Sequence, residues 1–357
     1  MEFKIVPLAA DKMKTKISDE TKLAFGKYFT DRMMMVEWKA GQEWCAARIE
    51  PYAPFVLDPA ALVFHYAQEI FEGLKAYKWE DGRIALFRPE MNARRFNRSA
   101  ARMCMPTVPE DIFLDGIAQL VSLERDWIPT APGTSLYIRP TLIAVEPVLG
   151  VKPSDHYYFY VILSPVGAYY AAGFNPVNIM VEDHFVRAVV GGTGEAKTGG
   201  NYASSLMAAL EAKKKGYDQV LWLDGSERRY IEEVGAMNMF FVYGKTIVTA
   251  PLNGSILSGI TRDSVLTLAP TLGYQVEERQ IDVNDLMADI QNGKITEAFG
   301  SGTAAVITPV GKLCYKDQEL QLSGGKVGEA TQLMYDTLTG IQTGKLEDTF
   351  GWVRFIE

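Results

Sequence analysis

Apolar positions along the chain recur with two periods. The runs MMMVEWKAG, RIALFRP and SLYIRPTLIAV read as strands, and they surround MNARRFNRSAARMCM, whose apolar residues fall on one face of a helix. Tyr157–Met180 carries no charged side chain and is long enough on count alone to span a bilayer. Its glycines and prolines break it instead into a strand over 157–163, a loop over 164–176 and a strand over 177–181. Downstream, FVRAVVG has a strand pattern and leads through a glycine-rich stretch to ASSLMAALEAKKKG. That segment is a well-marked helix, with lysines in its last turn and Gly216 just past its end. Strands QVLWLDG, MFFVYG and TIVTAP follow, then helices in ITRDSVLTLAPTLG and QIDVNDLMADIQNG, and a turn and strand in EAFGSGTAAVITPVG. No clean βαβ repeat emerges, which predicts an α+β fold. The punctuated loop near the midpoint predicts a small domain over 1–163, an interdomain loop over 164–176 and a large domain over 177–357.

Composition narrows the function. The chain has 357 residues, 48% of them hydrophobic and 22% charged, so a packed globular core is expected. A formal charge of -8 argues against nucleic-acid binding through phosphate neutralisation. Three distant cysteines (Cys45, Cys104, Cys314) and three scattered histidines form no disulfide framework or metal motif, and the cysteines read as buried small hydrophobes in a reducing compartment. The N-terminal residues lack the apolar core of a signal peptide, which points to the cytoplasm. Catalysis must therefore rest on other side chains or on a cofactor.

Gly191–Tyr202, GGTGEAKTGGNY, concentrates the chemistry: five glycines flank Lys197 closely. A phosphate-cradling P-loop would need glycine where Ala196 stands. A mobile loop with a solvated lysine is the bland reading. The third is a lysine held by close-packed backbone as an amine nucleophile toward a carbonyl compound.

With EVGAMN (233–238), SGITRDS (258–264) and GSGTAAVITPV (300–310), this segment resembles the branched-chain amino-acid aminotransferases. FGKYFTDRMMMVEW (25–38), HYAQEIFEGLKAY (65–77), LFRPEMNARRFNRSAARMCMP (86–106) and LYIRP (136–140) match as well, in the family's order. The resemblance implies a two-domain fold-type IV enzyme, like D-amino-acid aminotransferase, with pyridoxal phosphate between the domains. It implies a ping-pong exchange of the amino group between Leu, Ile or Val and 2-oxoglutarate. The EGLKAY and YIRP motifs count against two relatives of that fold, D-amino-acid transaminase and aminodeoxychorismate lyase.

The same resemblance assigns residues. Lys197 holds the cofactor and then acts as base, Glu233 faces the ring nitrogen and Tyr202 the ring hydroxyl. Arg95, the backbone N–H groups of Ile260 and Thr261, and Thr303 take the phosphate. Four arginines (94, 95, 98, 102) share that upstream segment, and only the spacing from LFRP selects Arg95. Phe25, Tyr66, Phe71, Tyr137, Arg139 and Tyr160 line the substrate, although Tyr and Phe on strands also build cores. Ala236, Thr303 and Ala304 hold its α-carboxylate. The turn Leu149–Val151 resembles a loop that reaches a partner's pocket, implying a homodimer. Animal members carry a cysteine pair after GSGTA; Ala305 and Thr308 stand there, so no thiol switch is expected. No metal, nucleic acid or membrane is implied.

Overall fold

A computed structural model describes residues 1–167 and 174–357, in two compact units. Six of the thirteen residues read as an interdomain loop, 168–173, lie outside the described residues, and the strand before them runs on to Val166.

The first unit holds the chain through that strand, plus Ala196–Gly199 and Gly340–Glu357. Its strands are β1 (Lys4–Ile5), β2 (Arg32–Lys39), β3 (Glu43–Pro51), β4 (Glu69–Phe71), β5 (Leu74–Lys78), β6 (Ile84–Phe87), β7 (Ser135–Ala144) and β8 (His156–Val166). They form one sheet in the order β1-β3-β2-β8-β7-β5-β6, and β4 adds to β7. A C-terminal strand, Val353–Ile356, pairs antiparallel with β6. The last residues thus fold with the first unit rather than with 177–339. The return begins at Gly340, and Gly344 and Gly351 turn the chain in the left-handed region, at φ +74° and +67°, before that last strand.

The helices of this unit are α1 (Leu62–Tyr66), α2 (Pro89–Arg102) and α3 (Glu110–Leu123). Successive strand residues point to opposite faces. On one face Met34, Val36, Leu136, Ile138, Leu142, Phe159 and Val161 meet Phe96 of α2 and Phe113, Ile117 and Leu120 of α3. The Phe96 ring lies 5.5 Å from that of Phe113 and 5.4 Å from that of Phe159. Such a buried ring is worth about 3–5 kcal/mol against alanine.

The second unit has α4 (Gly199–Ala203, of which Gly199 counts with the first unit) and α5 (Leu206–Lys214), the helix read from the lysine-rich ending. Gly216 follows it in the left-handed region, at φ +87°. Its strands are β9 (Val177–Glu182), β10 (Gln219–Leu223), β11 (Ile231–Val234), β12 (Met237–Tyr243), β13 (Thr246–Thr249), β14 (Gln275–Glu278), β15 (Glu297–Gly302), β16 (Val306–Tyr315) and β17 (Gln318–Gln321). The sheet runs β11-β10-β9-β16-β15-β12-β13-β14, with β17 on β16. Helices α6 (Ile260–Leu268) and α7 (Val283–Gln291) match their sequence patterns, and α8 (Glu329–Thr343) follows.

FVRAVVG is not a strand: residues 185–191 are irregular, with Val189 and Val190 exposed and the Arg187 side chain turned to an ion pair with Glu233. The cysteines also differ from expectation. Cys314 is buried, but Cys45 is only half-buried, and Cys104 is exposed where the chain leaves α2 at φ +54°. Among the described residues, no helix is long and apolar enough to cross a membrane.

Candidate active site

Lys197 is built into the first unit through its backbone. The N–H of Phe71 donates to its carbonyl at 3.0 Å, and its own N–H donates to Ser99 Oγ at 2.9 Å. Thr198 Oγ1 donates to the Glu69 carbonyl at 2.7 Å. Strand β4 and helix α2 thus grip the lysine from two sides, and its Nζ sits 4.9 Å from the centre of the Phe71 ring. A P-loop needs this N–H aimed at phosphate, and here it is spent on Ser99. Lys197 is half-buried, which does not suit a freely solvated lysine either.

Helix α2 turns a polar stripe inward. Asn92, Arg95 and Ser99 fall at helical spacing and are buried, whereas Arg94, Arg98 and Arg102 are exposed. Burial therefore singles out the same arginine as the spacing. Arg95 donates through Nε to Glu72 Oε1 at 2.6 Å and through Nη2 to Oε2 at 2.8 Å. Burial would push the Glu72 carboxyl up. The charge and hydrogen bonds of Arg95, the charge of Lys197 and the amide of Asn92 outweigh it and hold the group below the usual carboxylate range.

The sheet face turned away from the core carries the aromatic residues. Register places Phe71 opposite Thr141 and Thr141 opposite Tyr160, so these three form one row across β4, β7 and β8. A second row pairs Lys75 with Tyr137. The Arg139 guanidinium lies 4.6 Å from the Phe71 ring centre, and its Nη2 donates to Tyr137 Oη at 3.1 Å. Phe25 meets Tyr137 edge-on at 4.9 Å. Burial raises the Tyr160 hydroxyl above its usual value and pushes the Lys75 amine down to about 8.

Gly73 makes this packing possible, since a methyl there would stand 2.0 Å from Tyr137 Oη. Gly73→Ala is expected to cost about 1–3 kcal/mol as Tyr137 is displaced. Urea unfolding would read this as a lower midpoint at unchanged slope.

Tyr66 is not part of this cluster. It lies on α1, 41% exposed, and donates to the carbonyl of Leu149, in the exposed turn that carries Val151.

In the second unit, β11 carries Glu232 and Glu233, both buried rather than in a solvated turn. Glu233 Oε2 is paired with Arg187 Nε at 2.7 Å. Its Oε1 accepts from Asn238 Nδ2 at 3.1 Å and from the N–H of Leu257 at 3.2 Å. Asn238 also donates to the Leu257 carbonyl at 3.0 Å, fixing the approach to α6. That helix begins at Ile260 and Thr261, both buried, and its N-cap Gly259 supplies no side-chain cap. Its first N–H groups therefore suit an anion. Glu232 accepts from Ser255 Oγ, and burial raises its carboxyl.

Asn238 stands opposite Ser301 on β15. The β11–β12 turn holding Ala236 and the β15–β16 turn holding Thr303 and Ala304 therefore lie at the same end of the sheet. Tyr202 is half-buried on α4, where Asn201 and Thr193 exchange two 2.8 Å hydrogen bonds.

The model of the class IV amino-transferases matches residues 69–313, a span that takes in both clusters. The chain belongs to this family. It is 54% identical over 334 residues to branched-chain-amino-acid aminotransferase 2 of Bacillus subtilis (strain 168), covering 94% of this chain and 92% of that protein. A crystal structure of the Escherichia coli branched-chain amino acid aminotransferase superimposes with a TM-score of 0.74 at 28% identity, covering 90% of this chain and 99% of that one. The branched-chain aminotransferase of the thermophilic archaeon Thermoproteus uzoniensis, solved with norvaline, gives 0.72 at 26% identity, over 91% and 100% of the two chains.

In this class IV amino-transferase, four contributors escape the sequence reading: Glu72, Ser99, Arg187 and Asn238. Ser99 could have been found as the third member of the Asn92–Arg95–Ser99 stripe. Arg187 gave a different signal, a lone charge within an apolar run.

Proposed function

We propose that the protein transfers the amino group between L-leucine, L-isoleucine or L-valine and 2-oxoglutarate, with pyridoxal phosphate as its cofactor. The observation that carries this reading is the Lys197 clamp, which sets an amine over Phe71 on an aromatic sheet face. The residues suit the cofactor. A phosphate asks for positive charge and N–H donors, which Arg95, the uncapped start of α6 at Ile260 and Thr261, and the Thr303 hydroxyl offer. A pyridine nitrogen asks for a carboxylate, and Glu233 is fixed for that by Arg187 and Asn238. Tyr202 is assigned to the ring hydroxyl.

When bound, the cofactor supplies an electron sink for the bond broken at the substrate Cα. Lys197 would hold the cofactor through its amine and, as general base, would carry the proton of the substrate Cα. Phe25, Phe71, Tyr137 and Tyr160 wall the branched side chain, where one methylene is worth about 1–3 kcal/mol of discrimination. Arg139, laid on Phe71 and bonded to Tyr137, braces that wall. The N–H groups of Thr303 and Ala304, with Ala236, hold the α-carboxylate.

The reading includes a homodimer, in which exposed Tyr66 and the Leu149–Val151 turn serve a second copy. Three unpaired cysteines are in keeping with a cytoplasmic enzyme. Paired assays with 2-oxoglutarate as acceptor test the reaction. Turnover of L-leucine, L-isoleucine and L-valine with little from D-alanine is expected, and activity on D-alanine alone would overturn the assignment.

A further inference from the structure

The proposed reaction does not use Glu72, although it is the most completely enclosed carboxylate near Lys197, with 0% of its surface exposed. Four donors converge on its two oxygens. Oε1 accepts from Arg95 Nε at 2.6 Å; Oε2 accepts from Arg95 Nη2 at 2.8 Å, Asn92 Nδ2 at 2.7 Å and the N–H of Gly73 at 3.1 Å. Its chain neighbour Phe71 grips the Lys197 carbonyl, and Ser99, one turn along α2 from Arg95, accepts from the Lys197 N–H. One carboxylate thus sits where the settings of the arginine and the lysine meet.

We propose that Glu72 is a positioning residue for cofactor binding: it fixes the plane and reach of the Arg95 guanidinium that takes the phosphate. The inference rests on the assignment of Arg95 to that phosphate. A bidentate arginine–carboxylate pair has a defined plane, and a buried guanidinium needs its counter-charge to stay where it is. Glu72→Gln keeps the shape but not the pattern. Every partner of Glu72 is a donor, so the new NH2 meets a donor whichever way the amide turns. The guanidinium must then rotate or shift.

The test separates phosphate recognition from the lysine chemistry. Enzyme stripped of cofactor is titrated with pyridoxal phosphate and with pyridoxal, which has the aldehyde but no phosphate. Absorbance of the bound ligand gives both affinities. Wild-type protein is expected to prefer pyridoxal phosphate strongly. Glu72→Gln should lose about ten- to a hundredfold in affinity for it, the range seen when the outer partner of a ligand is removed, with pyridoxal binding unchanged. Arg95→Gln should do the same, and the double variant should lose nothing more.

An equal loss for both ligands, an unchanged preference, or additive losses in the double variant would overturn the proposal. Should Glu72→Gln fail to fold, Asn92→Ala removes one donor from the same carboxylate. It should lower the preference by a smaller factor, and no change there counts against the proposal. A wild-type protein indifferent to the phosphate would instead sink the assignment of Arg95 itself.

Discussion

Lys197→Ala is expected to lower kcat by at least about 10⁴-fold and to abolish the visible absorbance band of the purified protein. Loss of a general base alone costs about 10²–10⁴-fold, and a group that also bonds the reactant is removed from two steps at once. Lys197 holds its place through its carbonyl and N–H, bonded to Phe71 and Ser99, and alanine keeps both bonds. The fold should therefore survive, with an unfolding midpoint near that of the wild type. Kinetics with L-leucine and an absorbance spectrum of the same preparation check both halves. A variant that keeps either the band or wild-type turnover would place the chemistry on another lysine.

Glu233→Gln should separate binding from chemistry. The amide keeps the size of the side chain but removes the charge that is ion-paired with Arg187. We expect kcat to fall about 10²–10³-fold, the usual cost of losing one preorganised electrostatic partner, while the cofactor stays attached and its band remains. Breaking a buried pair on one side also costs about 3–5 kcal/mol. Replacing Arg187 with Met in the same protein removes the stranded charge, and should restore much of the stability and none of the activity. Thermal midpoints and kcat of the single and double variants decide this. Recovery of both together would mean that Glu233 acts through the fold alone.

Wherever one period dominated, the fold was legible in the sequence. The glycines and prolines that break the uncharged run over 157–180 mark β8 and β9, and the apolar face of 91–105 marks most of α2. Local pattern misled at FVRAVVG, whose valines read as a strand while Arg187 was committed to Glu233 across the chain. It was silent about the C-terminal strand, because the pairing of Val353–Ile356 with β6 depends on a partner far away in sequence.

The candidate site divides in the same way. Lys197, Arg95 and Glu233 take their roles from the resemblance of the motifs that hold them to a known family. Glu72 lay in plain view in the EGLKAY motif without a role, because only the folded chain brings it to Arg95. Tyr66 was grouped with the aromatic wall, but in a single chain it stands with the exposed Leu149 turn.

The central claim is that Lys197 carries the cofactor. Borohydride reduction of the purified enzyme, followed by proteolysis and mass spectrometry of the peptides, tests it most directly. The account predicts that reduction bleaches the absorbance band and leaves one phosphopyridoxyl group on the peptide containing Lys197. A protein with no such group, or with the group on a different lysine, would contradict it.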